Sequence, residues 1–190
     1  MRLSKQDQPA LILIDIQKGF DELEYWGGER NNPQAEHNAG QLLHFWRQQG
    51  LPLFHVKHCS TNPHAPLALG NRGNEFKEEV CPLPGELIIS KTVNSAFIGT
   101  DLLGLLNQQE IKKVVIAGLT TDHCVSTTTR MAGNFGFETY LVADASATFR
   151  RKGIAGQEYP AELVHETALA SLDGEFATVV NTHEVMACLR

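Results

Sequence analysis

Short apolar runs alternate with amphipathic stretches along the whole chain, and this alternation constrains the fold more than any other feature of the sequence. The first run, Ala10–Ile14, is apolar at every position and has the length of a buried strand. Residues 38–49 then place apolar side chains at helical spacing and stop at Gly50. Repeated strand–helix units predict a three-layer αβα architecture with a six-stranded, mostly parallel sheet between two layers of helices.

The remaining runs give the other predicted elements. The predicted strands cover residues 10–14, 51–56, 87–89, 114–117, 139–142 and 177–180. The predicted helices cover 38–49, a stretch capped by Thr100, a stretch from just after Gly118 to Asn134, a stretch from Pro160 to about Leu172, and a last stretch capped by Thr182. Together they use nearly all of the 190 residues, so we predict a single domain over 1–190.

Residues 59–86 interrupt the pattern. This stretch contains four prolines and three glycines and shows little periodicity. A loop of this length inside a compact domain is usually functional. We expect it to serve as a lid over a binding site or as a subunit interface.

Charge and cysteine content exclude several function classes. The net charge of −6 argues against nucleic acid and against an anionic membrane surface as partners. The four cysteines, at positions 59, 81, 124 and 188, show no short metal-type pairing and are typical of reduced cytoplasmic thiols. No apolar run has the length of a membrane span or the form of an export signal. We therefore expect a cytoplasmic protein.

Three residues with chemically useful side chains follow predicted strands. Asp15 comes after the first strand, Lys91 after the third, and Cys124 lies where the fourth strand turns into a helix. Carboxyl ends of parallel strands share one edge of the sheet, so these side chains are expected to converge there. A helix N-terminus favours the thiolate form of a cysteine, Asp15 can accept the thiol proton, and Lys91 can hold Asp15 ionised.

Two other patterns compete for these positions. Residues 123–130, HCVSTTTR, match the H-C-x5-R loop of cysteine phosphatases, in which Arg130 would clamp a phosphate. The loop interior has no glycine, and in a helix Cys124 and Arg130 would lie on different faces, so we interpret the match as coincidental. A separate pattern consists of His55, His58 and His64, which have no neighbouring carboxylate. Two or three histidines without a further ligand give only weak support for a metal site.

Three ordered motifs carry a family resemblance over nearly the whole chain. They are residues 13–20 (LIDIQKGF), 91–97 (KTVNSAF) and 118–125 (GLTTDHCV). The chain resembles the isochorismatase-like cysteine hydrolases, which include nicotinamidases, N-carbamoylsarcosine amidase, and ureidoacrylate and biuret amidohydrolases. The resemblance implies that family's Rossmann-like hydrolase fold, a catalytic triad of Asp15, Lys91 and Cys124, and a cis peptide at Leu119-Thr120. It also implies an oxyanion hole formed by the backbone N–H groups of Thr120 and Cys124.

Two departures from the family narrow the expected chemistry. Nicotinamidases carry an Asp-x-His metal motif after the second strand, whereas this chain has Val56-Lys57-His58, which argues against a metal, and against nicotinamide as substrate. Isochorismatases that cleave a vinyl ether lack the nucleophilic cysteine, whereas Cys124 is present here. We therefore expect a metal-independent and cofactor-independent hydrolase that cleaves the C–N bond of a small amide or ureide through a Cys124 thioester. The alternatives are a cysteine phosphatase and a non-catalytic binding descendant of the fold.

The same resemblance suggests a substrate pocket and an assembly. The residues expected to line the pocket are Phe20, His58, Ser95, Phe97 and Thr121. Residues 59–86 and the Arg150-Arg151 pair are candidates for recognising a substrate carboxylate. Members of the family are commonly oligomeric, so we expect a homodimer or a homotetramer.

Overall fold

A six-stranded sheet forms the centre of the molecule. The computed structural model describes residues 3–190, and the strands of this sheet are β1 (Ala10–Ile14), β2 (Leu53–His58), β3 (Leu87–Lys91), β4 (Lys113–Leu119), β5 (Glu138–Ala147) and β8 (Thr178–Val180). Their order is β3-β2-β1-β4-β5-β8, and each neighbouring pair is parallel. Two short strands, β6 (Arg151–Lys152) and β7 (Glu158–Tyr159), form a separate antiparallel hairpin. The predicted three-layer αβα fold is confirmed, with a sheet that is parallel throughout.

Helices connect the strands and cover both faces of the sheet. They are α1 (Leu23–Trp26), α2 (Ala35–Gln49), α3 (Leu102–Gln108), α4 (Ser126–Asn134), α5 (Ala161–Ala170) and α6 (Thr182–Cys188). Single 3-10 turns cover Lys5–Asp7, Lys18–Asp21, Arg72–Asn74 and Glu78–Val80, and a π-helical turn covers Thr121–Val125. Within residues 3–190, no helix has both the length and the apolar character needed to cross a bilayer.

Two predicted helix caps differ from the structure. Asn181, not Thr182, is the N-cap of α6, where it forms a capping box with Glu184. The Thr182 hydroxyl donates instead to Oδ1 of Asp144 at 2.9 Å. Asp101 occupies the N-cap position of α3. Thr100 supports that helix from one position earlier, since its Oγ1 accepts the Leu102 N–H at 3.4 Å.

Alternating side chains of the strands build two cores, one on each face of the sheet. From β1, Leu11 and Leu13 pack into the core that contains Trp46 of α2 and Val185 of α6. Ile12 and its alternate neighbours pack into the opposite core, which contains apolar residues of α3 and α4. A strand covered on both faces is apolar at every position, which explains the unbroken run in β1.

The strand order reverses direction at β1, and this reversal positions the site. The chain moves outward from β1 to β2 and β3, then returns to place β4 on the other side of β1. A crevice opens at such a switch point, at the carboxyl ends of the strands. Gly118 in β4 has φ +139, and a Cβ there would lie 2.0 Å from the Ile14 carbonyl oxygen. Only glycine allows β4 and β1 to approach this closely.

Candidate active site

Asp15, Lys91 and Cys124 come together at the carboxyl edge of the sheet. Nζ of Lys91 lies 2.6 Å from Oδ2 of Asp15, and both side chains are fully buried. A carboxylate oxygen of Asp15, a ring nitrogen of His58 and Sγ of Cys124 all lie within 4.8 Å of one another. The convergence expected from the strand ends is therefore present in the structure.

A tight turn after β1 presents the Asp15 side chain. Asp15 has φ +53, a left-handed conformation that aspartate tolerates better than most residues. Its N–H donates to the Val56 carbonyl at 2.9 Å, which ties the turn to β2. Gln17 strengthens the same junction, because its Oε1 accepts the His58 N–H at 2.8 Å and its Nε2 donates to the His58 carbonyl at 3.1 Å.

A second turn, after β4, presents Cys124. The peptide bond between Leu119 and Thr120 is cis, as the family resemblance implies. The Thr120 carbonyl then accepts the N–H groups of His123 at 3.1 Å and Val125 at 3.2 Å. The sequence predicted a helix directly after Gly118. Instead β4 extends to Leu119, and the turn at Thr121–Val125 is wider than an α-helical one.

The Cys124 thiol holds its proton at neutral pH. Burial, and after it the negative charge of Asp15, raise the pKa of this thiol to about 12. The raised pKa runs against the expected thiolate, because the loss of solvent and the Asp15 charge outweigh the effect of the Lys91 ammonium. Burial also raises the pKa of Asp15, against the opposing effect of Lys91.

One carboxylate oxygen of Asp15 is available to accept the proton of the Cys124 thiol. Oδ2 is occupied by Lys91, whereas Oδ1 is buried and has no partner at hydrogen-bonding geometry within residues 3–190. A buried carboxylate oxygen without a partner is costly, so such an atom calls for an explanation. The nearby thiol supplies one, since a thiol with a high pKa needs an adjacent base before it can act as a nucleophile.

A cavity of about 120 Å³ opens above these residues. Its wall is partly aromatic, with the rings of Phe20 and Trp26 centred 4.5 Å apart. His58 lies on the polar side, where its Nδ1 is 3.4 Å from Nζ of Lys91. The residues that line the cavity are Asp15, Phe20, Trp26, His58, Leu67, Asn94, Thr120, His123 and Cys124.

The structure brings Phe20 and His58 to this cavity but not the other three residues expected to bind substrate. The hydroxyl of Ser95 donates to Sδ of Met131 at 2.7 Å, and Phe97 is buried in the core. Thr121 is fully buried, and its Oγ1 lies 2.8 Å from Nδ1 of His165. These three side chains therefore contact other parts of the protein rather than the cavity. Ser95 contacts α4, Thr121 contacts α5, and Phe97 packs in the core.

Four other lining residues were not predicted. Asn94 and His123 lie within the motifs that carried the resemblance, next to residues that were identified, so the motifs themselves contained the signal. Trp26 and Leu67 lie in stretches without regular periodicity, and only the folded chain brings them to the cavity. Leu67 belongs to the 59–86 segment, which thus contributes to the wall.

The structure engages the three candidate anion-binding arginines elsewhere. Nη2 of Arg130 donates to Oγ of Ser171 at 2.9 Å, and its guanidinium lies 4.7 Å from the ring centroid of Phe176. Both contacts hold Arg130 against residues that follow α5. Residues 121–134 form a π-helical turn and α4, so the phosphatase-type loop is not formed. Arg150 and Arg151 are bound to other protein groups, described below.

The side chains near Cys124 do not suit a metal ion. Asp15, His58 and Cys124 supply three donors, but the Lys91 ammonium lies within 3.4 Å of both Asp15 and His58. A metal cation would have to compete with this buried positive charge. Val56, which stands where nicotinamidases carry the metal-binding aspartate, is fully buried in the apolar core and offers no donor.

Comparison with known proteins matches this geometry to one family. A family model described as the Isochorismatase domain matches residues 9–184. The isochorismatase family protein YrdC of Bacillus subtilis is 46% identical over 181 residues, which cover 95% of this chain and 96% of that protein. The maleamate amidohydrolase of Pseudomonas putida is 29% identical over 200 residues, with 96% and 87% of the two chains covered.

A solved structure agrees with these sequence matches. An isochorismatase family protein from Chromobacterium violaceum superimposes with a TM-score of 0.92 at 43% identity, covering 96% of this chain and 93% of that one. The match therefore spans almost the whole length of both chains. The chain belongs to the isochorismatase-like hydrolase family.

Proposed function

We propose that this protein is a metal-independent cysteine hydrolase that cleaves a C–N bond of a small amide or ureide. One observation carries the proposal. Lys91 occupies one oxygen of a buried carboxylate, and the other oxygen of Asp15 is left without a partner close to a protonated thiol. This arrangement suits a reaction in which Asp15 moves a proton and Cys124 forms a covalent intermediate.

In the first half-reaction, the Asp15 carboxylate accepts the thiol proton while Sγ of Cys124 attacks the carbonyl carbon of the substrate. The backbone N–H groups of Thr120 and Cys124 are proposed to stabilise the oxyanion, a contribution of about 3 kcal/mol per donor in comparable sites. Asp15 then returns the proton to the leaving nitrogen. The C–N bond breaks, ammonia or an amine departs, and a Cys124 thioester remains.

In the second half-reaction, Asp15 accepts a proton from a water molecule as that water attacks the thioester carbonyl. The C–S bond breaks, the acid product leaves, and the proton returns from Asp15 to Sγ. The Lys91 ammonium remains charged throughout and stabilises the ionised form of Asp15 between the proton transfers. One carboxylate therefore serves both halves of the reaction.

The activity named for one relative supports an amide as the substrate of this protein. The maleamate amidohydrolase of Pseudomonas putida, which is similar over nearly the full length of this chain, acts on an amide according to its name. The cysteine that an amidohydrolase needs as nucleophile is present here and lines the cavity. No comparable observation favours a phosphatase, because Arg130 is engaged on Ser171 and Phe176.

A screen for ammonia release tests the proposal. The panel comprises nicotinamide, biuret, ureidoacrylate, carbamoyl amino acids, maleamate, maleamide and simple carboxamides, assayed with wild type, Cys124→Ala and Cys124→Ser. We expect turnover of at least one compound by wild type and no turnover by either variant. An acyl adduct on Cys124, trapped by acid quench and found by mass spectrometry, is the second expected result.

The controls separate the alternatives. Treatment with a chelator should leave turnover unchanged, and loss of activity that zinc restores would contradict a metal-independent reaction. Turnover retained by folded Cys124→Ala would overturn the proposal. If no compound of the panel is hydrolysed and Cys124 forms no adduct, the protein is better described as a non-catalytic binding descendant of the fold.

A further inference from the structure

The lining of the cavity contains no arginine or lysine within the described part of the chain. Lys91 lies beneath the cavity floor, and its ammonium contacts the Asp15 carboxylate at 2.6 Å and His58 at 3.4 Å. The positive charge of Lys91 is therefore balanced by the negative charge of Asp15. A substrate entering the cavity meets a site with no net charge to attract an anion.

Arg150 and Arg151, the pair expected from the sequence to recognise a carboxylate, are bound to other groups of the protein. Nε and Nη2 of Arg151 form a two-pronged pair with the carboxylate of Asp122, at 2.8 and 3.1 Å, and Nη1 donates to the Trp26 carbonyl at 3.1 Å. Arg150 donates to the Gly27 carbonyl at 3.0 Å and to Glu158 at 2.9 Å. The expectation that this pair recognises a substrate carboxylate therefore has no support in the geometry. These arginines instead fasten the C-terminal end of α1, which carries Trp26.

The remaining basic groups of the lining are the imidazoles of His58 and His123. Burial lowers the pKa of His58, and the Lys91 ammonium lowers it further. Partial loss of solvent is the largest cause that lowers the pKa of His123, whose side chain is still 56% exposed, and Asp122 opposes the shift. Both rings are therefore neutral at neutral pH and can form hydrogen bonds without neutralising an anion.

The size of the cavity and its aromatic wall further restrict the ligand. An engineered apolar cavity of about 150 Å³ accommodates one benzene molecule, so a cavity of about 120 Å³ fits a ligand of a few heavy atoms. The rings of Phe20 and Trp26 pack against each other, with their centres 4.5 Å apart and their planes tilted by 30°. This aromatic pair gives the cavity an apolar wall on one side.

We propose that the site selects small, uncharged amides and discriminates against amides that carry a carboxylate. This inference rests on the proposed function, since it names the substrate class of the same cavity. Its physical basis is that a carboxylate buried in this cavity would lose its hydration and gain no cationic partner. The side chains of Asn94, His58 and His123 can satisfy the carbonyl and N–H groups of a neutral amide.

Two alkylating reagents test the inference without requiring turnover. Iodoacetamide is itself a small uncharged amide, and iodoacetate replaces its carboxamide with a carboxylate. In both reactions an Sγ–C bond forms, the C–I bond breaks, iodide leaves and the thiol proton is lost. The rate at Cys124 is followed by peptide mass spectrometry, and glutathione measured in parallel gives the intrinsic ratio of the two reagents.

After division by the glutathione ratio, we expect iodoacetamide to be favoured at Cys124 by about tenfold or more. An equal or inverted ratio would overturn the inference, and so would a Cys124 that neither reagent alkylates. The proposed function fails separately, if no amide shows Cys124-dependent hydrolysis. The two tests therefore have distinguishable failures.

A charge added at the wall provides a matched pair of variants. Asn94 is an exposed residue at the cavity, so Asn94→Lys is expected to fold, and Asn94→Gln serves as its uncharged control. The lysine should lower the preference for iodoacetamide over iodoacetate by about tenfold, whereas glutamine should leave it near the wild-type value. If lysine and glutamine give the same ratio, charge is not what the site discriminates, and the inference is wrong.

Discussion

Nζ of Lys91 lies 2.6 Å from Oδ2 of Asp15, and neither side chain is exposed to solvent. The two residues are far apart in sequence and come from the ends of β3 and β1, which are not adjacent strands. A buried ion pair is weak evidence for stability, because desolvation of both ions offsets their attraction. The pair therefore fits the role proposed for Asp15 in proton transfer better than a role in stability.

Replacement of Lys91 by methionine should impair both the reaction and the fold. The variant leaves the Asp15 carboxylate buried without a cation, so its already raised pKa should rise further and the protonated form cannot accept the thiol proton. We expect kcat/KM to fall by about 100-fold or more, and the free energy of unfolding to fall by about 3–5 kcal/mol. Kinetics over a pH series and chemical denaturation measure these effects.

The matched control is Lys18→Met, because Lys18 pairs with Glu75 in a more exposed position. Such a pair contributes little to stability, so this variant should stay within about 1 kcal/mol of wild type. In the pH series, the acid side of the Lys91→Met profile should move to higher pH. An unchanged acid side would mean that Lys91 does not control the protonation of Asp15.

Alkylation of Cys124 should show an unusual dependence on pH. A free cysteine reacts faster with iodoacetamide as its thiol ionises near about pH 8.5. The pKa of Cys124 is raised to about 12, so its rate should show no inflection between about pH 7 and about pH 10. An inflection near the value of free cysteine would contradict the assignment of a protonated resting thiol.

A single methyl group at Gly118 should disrupt the junction of β1 and β4. The Cβ of Gly118→Ala would lie 2.0 Å from the Ile14 carbonyl oxygen, at φ +139. We expect a loss of about 3 kcal/mol or more in the free energy of unfolding, or failure to fold. Gly104→Ala is the control, because Gly104 lies in α3 with nothing within 4 Å of its added Cβ. That variant should gain about 1 kcal/mol.

Glu86 should stabilise the edge of the sheet in a pH-dependent manner. Its carboxylate accepts hydrogen bonds from Arg47 at 2.7 and 2.8 Å and from the Leu83 N–H at 2.8 Å, and it lies 2.8 Å from Nε2 of His55. The Arg47 hydrogen bonds are the largest cause that lowers the pKa of Glu86 to about 2. Glu86→Gln should therefore cost about 2 kcal/mol at neutral pH.

The sign of the pH dependence follows from the lowered pKa. The stabilising effect of Glu86 is complete above the unfolded pKa of 4.5 and is lost as pH falls toward the folded value of about 2. The difference between wild type and Glu86→Gln should thus shrink below about pH 4.5. Glu75→Gln, which alters an exposed carboxylate, is the control and should show a smaller difference. Equal acid unfolding curves for wild type and Glu86→Gln would refute the assignment.

Much of the fold follows from sequence because buried strands are short and apolar. The bounds predicted for β1 match the structure, whereas β2 begins only at Leu53, after Pro52, which has no N–H to donate. β5 continues to Ala147, well beyond the predicted end at Val142. This extension was not predictable from periodicity, because Asp144 and Ser146 are polar and their partners come from distant segments.

The candidate catalytic residues were more predictable than the cavity wall for a related reason. Asp15 directly follows one apolar run and Lys91 comes two residues after another, so the topology alone brings them to one edge. The wall depends on side chains from irregular segments, and the folded positions of Trp26 and Leu67 follow from contacts that no local pattern encodes. Ser95 and Phe97 show the opposite case, in which residues of a recognised motif do not line the cavity. The Ser95 hydroxyl contacts Met131, and the Phe97 ring packs in the apolar core.

The 59–86 segment is held by amide side chains rather than by regular structure. Nδ2 of buried Asn74 donates to the carbonyls of His58 and Leu67, each at 2.8 Å, and Nε2 of Gln17 donates to the Asn74 carbonyl at 3.0 Å. One buried side chain, that of Asn74, therefore fastens Leu67 of the cavity wall to the strand end that carries His58. A substitution of this single amide would loosen the wall and the strand end together.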